Sequence, residues 1–435
     1  MTRLFFRPAL RTFGTAALLC GLLALAAEGL DAQMMRGQGE DLTIKIAVMG
    51  PGDQLYFWWG HIALVIEDAR SGQSRFFDYG LFSFENDHFF VNFAFGRLLY
   101  SCGASPAGSN IAAYVNTNRD VVLYTLNLPP ETREAVRDFA EQNILPENRN
   151  YFYHHFNDNC STRIRDIIDL ASDGQFRQQF GNAPGRFTLR EHVRRHTWFS
   201  PVADWILNFW MGQGIDVPIT VWEEMFLPAE VGNRIVDFRY TDSNGFPRQL
   251  VSDTEIINRA VNRPQVLDAP RRQWPRELAV SLALAVILGA LFFLQAKNPP
   301  AGQVALGICH SLFGLVFGVS GLLLFFMSSF TNHDYTYNNA NLLFANPLLL
   351  AAVPLGIRYA MSRNSAGRVW PEFLLRALWL LVALGIFLSM LIKLLPWFWQ
   401  QNLTDQMLML PIALILALEP AGLQAIIRRV FWRWS

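Results

Sequence analysis

Between residues 277 and 427 the chain reads as five apolar runs, at roughly 277–296, 304–328, 342–362, 373–395 and 406–427. A bilayer core takes about 20 apolar residues in helical form, so each run is long enough to span one. Lipid offers backbone groups no partners, which makes helices the expected form. The connections set a direction. Lys297, then Arg358, Arg363 and Arg368, then Arg428, Arg429 and Arg433 fall in 297–303, in 357–372 and after 427. The alternate connections 329–341 and 396–405 hold no Lys or Arg. The positive-inside rule makes the first set cytoplasmic and the second external. Residues 33–276 are then exported. Arg271, Arg272 and Arg276 run against the rule, but they follow a long translocated domain, where it is weak. Trp370, Trp397, Trp399, Trp432 and Trp434 sit near the expected interfaces, as belt residues do.

The N-terminus agrees with export. Arg3, Arg7 and Arg11 precede TAALLCGLLALAA and then EGLDAQ, the three regions of an export signal. It is either cleaved near Ala32 or kept as an anchor. The chain thus divides into 1–32 (signal or anchor), 33–270 (exported domain) and 271–435 (five membrane helices). A formal net charge of zero argues against a nucleic-acid partner. Four cysteines are too few for a disulfide scaffold. Cys102 and Cys160 are the one pair the exported domain could bridge, and the count argues against it. No CxxC occurs, and adjacent His154 and His155 are poorly spaced to share a metal. Neither metal nor cofactor is expected.

Inside the exported domain, TIKIAVM (43–49), HIALVIE (61–67), RFFDYG (75–80) and DVVLYTLN (120–127) read as strands. The polar DARSGQS, with Gly72, joins the second and third as a hairpin. Pro130-Glu131-Thr132 opens a helix to about 143. Residues 161–171 carry Ile164, Ile167, Ile168 and Ala171 at helical spacing, with Arg163, Arg165, Asp166 and Asp169 on the other faces. This is an α+β domain, strands first and a cysteine-bearing helix later. Residues 176–270 give few signals. WFSPVADWILNFWMGQG (198–214) is aromatic enough either to lie against the membrane or to form a core helix.

Cys160 stands where the polar, aromatic NYFYHHFND turns into that helix. Asp158 or Asn159 can cap it, which puts Cys160 in the first turn. There the helix dipole favours a thiolate, and free N–H groups can hold an oxyanion. A small residue packed under a helix start is the structural alternative. His61 opens an otherwise apolar strand, so it is either a satisfied core histidine or a base. A hairpin centred near Ser71–Gly72 places Asp78 to Gly80 across from it, and Asp78 could orient the imidazole. His154 and His155 read as loop residues near the thiol. His192 and His196, in EHVRRH, read as one face of a solvated basic helix.

The order WWGHIALVIED, FFDYGLFSF, LPENRNYFYHHFNDNCSTRIRDIIDL resembles the periplasmic domain of the Lnb-type lipoprotein N-acyltransferases over roughly residues 45–175. The membrane part, including FTNHDYTYNNANLLFANP at 330–347, is similar too. The order of histidine and cysteine also resembles permuted papain-like enzymes, among them lecithin:retinol acyltransferase and relatives of the NlpC-type peptidases. The resemblance implies a permuted papain-like fold, Cys160 as nucleophile and His61 as its histidine. Asp78 stands where a polar third member is expected. It further implies a phospholipid acyl donor, a Cys160 thioester and a lipoprotein α-amine as acceptor, at the bacterial inner membrane. Trp58 and Trp59 would line an opening toward the bilayer, or else form a buried aromatic core. Asn159, Arg163, Arg165 and His155 are further candidates for substrate contact. So are His333 and Asn338 of the 329–341 loop, whose alternative is a polar cap on two helices. The same Cys–His pair could serve a membrane-tethered hydrolase of peptidoglycan or lipid. A non-catalytic assembly or transport protein is the third reading.

Overall fold

The computed structural model describes residues 39–82, 88–395 and 397–431. The export segment expected at 1–32 lies outside them, as do Trp432 and Trp434. The described chain runs β1 (Leu42–Met49), β2 (His61–Asp68), β3 (Gln73–Leu81), α1 (Phe89–Ala94), β4 (Leu99–Pro106), α2 (Ala107–Asn116), β5 (Val121–Leu126), α3 (Pro130–Asn143), β6 (Asn150–Phe152) and α4 (Cys160–Ala171). It continues through α5 (Gln175–Phe180), α6 (Leu189–Thr197), α7 (Pro201–Trp210), α8 (Val221–Glu224), α9 (Pro228–Ile235), β7 (Arg239–Thr241), β8 (Pro247–Gln249) and β9 (Val251–Asn258). The helices α10 (Trp274–Lys297), α11 (Pro299–Phe330), α12 (Ala352–Met361), α13 (Ser365–Leu391) and α14 (Leu403–Phe431) follow.

Two compact units result. Of the described residues, the first holds 39–82, 99–183 and 221–262; the second holds 88–98, 184–220, 263–395 and 397–431. Two excursions of the chain before residue 270 therefore count with the membrane helices.

The first unit is built on an antiparallel sheet in the order β6-β4-β3-β2-β1-β5-β9. Alternation sorts its side chains. Leu42, Ile44, Ile46, Ile62 and Leu64 face a core shared with Ile164, Ile167 and Ile168 of α4. Ala47, Met49, Ala63, Val65 and Phe76 face the other way, against Ala107, Ile111 and Tyr114 of α2. Each fully buried Ile or Leu contributes about 1.5–3 kcal/mol, so covering both faces fixes the register. The expected hairpin is present, pairing Asp68 with Gln73 through Leu64 with Phe77, and Gly72 takes φ +67° in its turn. Between Asp78 and Leu81 the β3–β4 register shifts, a bulge that re-aims side chains at this end of the sheet.

In the second unit, four segments are long and apolar enough to cross a membrane: 274–297, 299–330, 340–361 and 365–394. Of the fifth expected span, the described apolar part, Leu403–Leu418, is shorter than these. The third span is not one α-helix. It begins as two 3-10 turns, Ala340–Leu343 and Pro347–Ala351, before α12. Pro347 cannot donate into a preceding turn, and the irregular backbone is wedged between its neighbours. A Cβ at Gly321 would lie 2.6 Å from Ala345 O, one at Gly318 2.8 Å from Leu350 N, and one at Gly385 2.1 Å from Leu343 O. Small residues permit this approach, as in membrane helix packing generally.

The solvated basic helix expected at EHVRRH is overturned. Arg190, His192, Arg195 and His196 of α6 are all buried. Arg190 donates to Asp216 Oδ1 and to the carbonyls of Asn208, Met211 and Gly212. It ties α6 to the C-terminal end of α7, where carbonyls lack helical partners. Phe209 of α7 lies in the core of the membrane helices, with Trp205 and Trp210 beside it.

Candidate active site

The site is assembled where β2 begins, β3 ends and α4 starts. Gly60, at φ +82°, turns the chain into β2 so that His61 is its first residue. His61 Nε2–H donates to Asp78 Oδ1 at 3.0 Å. The same oxygen accepts the Gly80 N–H at 2.7 Å. A Cβ on Gly80 would stand 2.8 Å from His61 Cε1, so glycine there gives the imidazole its room. Tyr114 of α2 stacks beside the ring, with centroids 6.1 Å apart at 21°. With Nε2 engaged by the carboxylate, Nδ1 is the nitrogen left to take a proton.

Electrostatics reinforce the pair. Burial pushes the imidazole pKa down, but the Asp78 carboxylate, charge on Cys160 and Tyr114, and the Asp78 hydrogen bond outweigh it. His61 is held well above its ordinary value of 6.5. Burial would raise the Asp78 carboxyl, yet the His61 charge, the His61 bond and the Gly80 N–H hold it below its usual value.

Asn159 is the N-cap of α4. Its Oδ1 accepts from Ser161 N at 2.8 Å and Thr162 N at 3.0 Å, while Thr162 Oγ1 accepts the Asn159 N–H at 2.8 Å. This reciprocal box claims the N–H groups on either side of Cys160. Among the described residues, the Cys160 N–H has no hydrogen-bond acceptor, so it stands ready as an oxyanion donor. The thiol is half-buried and unbridged, and Cys102 is free as well. Among the described residues no hydrogen bond joins Cys160 to His61. They act on each other through space, since charge on Cys160 helps raise the imidazole.

Tyrosines around the thiol were not singled out from sequence. Charge on Cys160 adds to burial in raising Tyr100 to about 12, and in pushing Tyr151 and Tyr153 upward. Tyr100 and Tyr153 stack at 4.2 Å and 19°, and Tyr151 Oη donates to Tyr79 O. The signal was the alternation of Tyr151 and Tyr153 just before the cysteine, which puts both on one side of an extended chain.

Other candidates have local work. His154 Nδ1 accepts from Phe156 N and Asn157 N, and its backbone pairs with Asp158. His155 is exposed, edge-on to Tyr153 at 5.4 Å. Arg163 grips Asp158 at 2.6 and 2.8 Å and lies over Tyr151. Arg165 binds Asp166 and Trp222 O and lies over the Trp222 ring. Trp58 is buried, donating to Asp53 O at 3.1 Å; Trp59 is half-buried at 6.4 Å from it. His333 and Asn338 belong to the second unit. His333 is buried, with Nε2–H on Phe93 O at 3.0 Å and Nδ1 accepting from Tyr335 Oη at 2.8 Å, an assignment made from its partners. Asn338 is exposed at φ +50°. Among the described residues, no group of three His, Cys, Asp or Glu side chains could hold a metal.

A sheet-rich domain with this histidine–thiol corner, joined to apolar helices, defines a membrane protein with a domain outside the bilayer. Residues 35–195 match the Lnb N-terminal periplasmic domain, and residues 273–427 match the Lnb transmembrane domain. The chain belongs to the Lnb family, with its N-terminal domain in the periplasm. Neither the comparison with curated proteins nor that with solved structures returned a match.

Proposed function

We propose that the protein transfers an acyl chain from a membrane phospholipid to the α-amine of a diacylglyceryl-cysteine lipoprotein, through a thioester on Cys160. The observation that carries this reading is the Asp78-bound, strongly basic His61 near a half-buried cysteine whose own N–H is uncommitted.

His61 takes the thiol proton, and Asp78 stabilises the imidazolium so formed. The thiolate attacks the ester carbonyl. The Cys160 N–H receives the developing oxyanion, and the C–O bond breaks as His61 returns its proton to the leaving lysophospholipid oxygen. The lipoprotein amine then attacks the thioester. His61 removes the amine proton, an amide forms, and the Cys160 thiolate leaves and is reprotonated. A thioester is far more reactive toward an amine than the original ester, so the covalent step divides one hard reaction into two easier ones. Both substrates are anchored in lipid, which gives the membrane helices a purpose beyond localisation. Papain-like geometry and an inner-membrane address form part of the same reading.

Mass spectrometry of lipoproteins from a cell that relies on this protein alone tests it. Triacylated N-termini are expected with the native chain and diacylated ones with Cys160→Ala or His61→Ala. Triacylated lipoproteins in the Cys160→Ala cell would sink the mechanism. Free fatty acid released without amide product would assign a hydrolase instead.

A further inference from the structure

Helix α1 interrupts the sheet domain in sequence, between β3 with Asp78 and β4 with Tyr100, yet it packs with the membrane helices. Its C-terminal end is fastened to the loop that leaves α11. Asn332 N–H donates to Phe95 O at 2.9 Å, and His333 Nε2–H donates to Phe93 O at 3.0 Å. Gly96, at φ +72°, lets the two backbones approach; a Cβ there would lie 2.8 Å from Asn332 C. The Phe95 ring meets Phe326 edge-on at 5.7 Å, and Phe326 lies 6.1 Å from Phe330. Phe326 and Phe330 end the α11 span, so α1 is held at the level where that span leaves the bilayer. The charge pattern makes this the periplasmic end.

On this frame α1 exposes three large apolar side chains. Phe90 is 72% exposed, Val91 55% and Phe93 49%, and Phe330, at the end of α11, is 62% exposed. Contiguous apolar surface of this kind marks a contact with lipid or protein. Its position decides between them: the patch continues the apolar surface of a membrane span. Arg97, exposed in the turn after α1, adds a cation beside the aromatic rings, the composition of segments that lie in a lipid interface.

We propose that α1 inserts into the periplasmic leaflet, burying Phe90, Val91 and Phe93 among phospholipid acyl chains with Arg97 at the phosphate level. The segment from Phe89 to Arg97, between β3 and β4 in sequence, is then a lipid-dipping element. This rests on the transmembrane assignment and not on the acyl-transfer reading.

The test uses the full chain in vesicles of phosphatidylethanolamine and phosphatidylglycerol. Photoreactive p-benzoylphenylalanine is placed at position 90, at 93, or at 323, where exposed Leu323 of α11 serves as the lipid-facing reference. After irradiation, peptides spanning 90 and 93 are expected to gain the mass of one phospholipid, as at 323. The gain is expected unchanged with Cys160→Ala, which separates the outcome from that of the catalytic reading. Phospholipid adducts at 323 with none at 90 and 93 would overturn the proposal, and protein adducts at 90 or 93 in their place would assign the patch to a protein partner.

Discussion

The imidazole of His61 occupies space that a side chain at position 80 would claim. Gly80→Ala puts a methyl 2.8 Å from Cε1, and the carboxylate on Nε2 leaves the ring little freedom to move away. Misplacing a catalytic group by about an ångström can cost about 100-fold in rate. Cys160 acylation by phospholipid is therefore expected to fall about 100-fold in Gly80→Ala, with circular dichroism unchanged; a native rate would exclude His61 as the base. The same ion pair predicts a pH dependence. The His61 pKa is raised on folding, so its stabilisation is complete below the unfolded value of about 6.5. It is lost as pH rises from there through the raised folded value. Thermal melts should show the native chain weakening over that window, and Asp78→Asn should flatten the decline. The Asp78 contact was legible in sequence because a hairpin's register follows from its turn. The tyrosines were not, since Tyr100 and Tyr153 meet through β6, three residues long and without a strand signature.

Helix α4 was readable to within a residue because its apolar period and its cap agree. The cap does more than start a helix: Asn159 Nδ2 also donates to His155 O at 2.8 Å and Phe226 O at 3.1 Å. Asn159→Ala removes all of these bonds from a buried position, and loss of a cap alone costs about 1–2 kcal/mol. Asn159→Asp keeps the acceptor for Ser161 and Thr162 but turns a carboxylate oxygen toward two carbonyls. Denaturant titration is expected to find both less stable than the native chain, which it would not if the cap acted alone and aspartate could serve it. Elsewhere the signals failed for identifiable reasons. β9 pairs with β5 at the sheet edge, and VSDTEIIN is mostly exposed, so no core-facing alternation marks it. The third span read as one helix because hydropathy reports apolarity and not backbone form.

At the scale of the whole molecule, buried polar side chains join the 184–220 excursion to the ends of the membrane helices. Hydropathy and period carry no trace of them, because each group is matched by a partner distant in sequence. Asn341 Nδ2 donates to Phe209 O at 2.9 Å and to Asp405 Oδ2 at 3.0 Å, while its Oδ1 accepts from Asn402. Gln400 Nε2 donates to Met211 O and Asn339 Oδ1, and its Oε1 accepts the Ala340 N–H. Arg194 Nη2 reaches Gln401 O at 2.9 Å. The 329–341 loop, expected to contact substrate, thus spends Asn339 and Asn341 on holding α7. Asn341→Leu keeps the branched shape but strips the Asp405 carboxylate of that donor, and an unsatisfied buried group costs about 1–3 kcal/mol. The loss should appear as local opening, because α7 is held by these bonds and by Phe209, Trp205 and Trp210 against the helix core. Hydrogen exchange of amides in 201–212 is expected to accelerate about tenfold to hundredfold, in line with that cost. Amides of β1 and β2, in the other unit, should exchange at the native rate. Uniform acceleration in both would mean that the two units unfold as one, and native rates in α7 would mean that packing alone holds it.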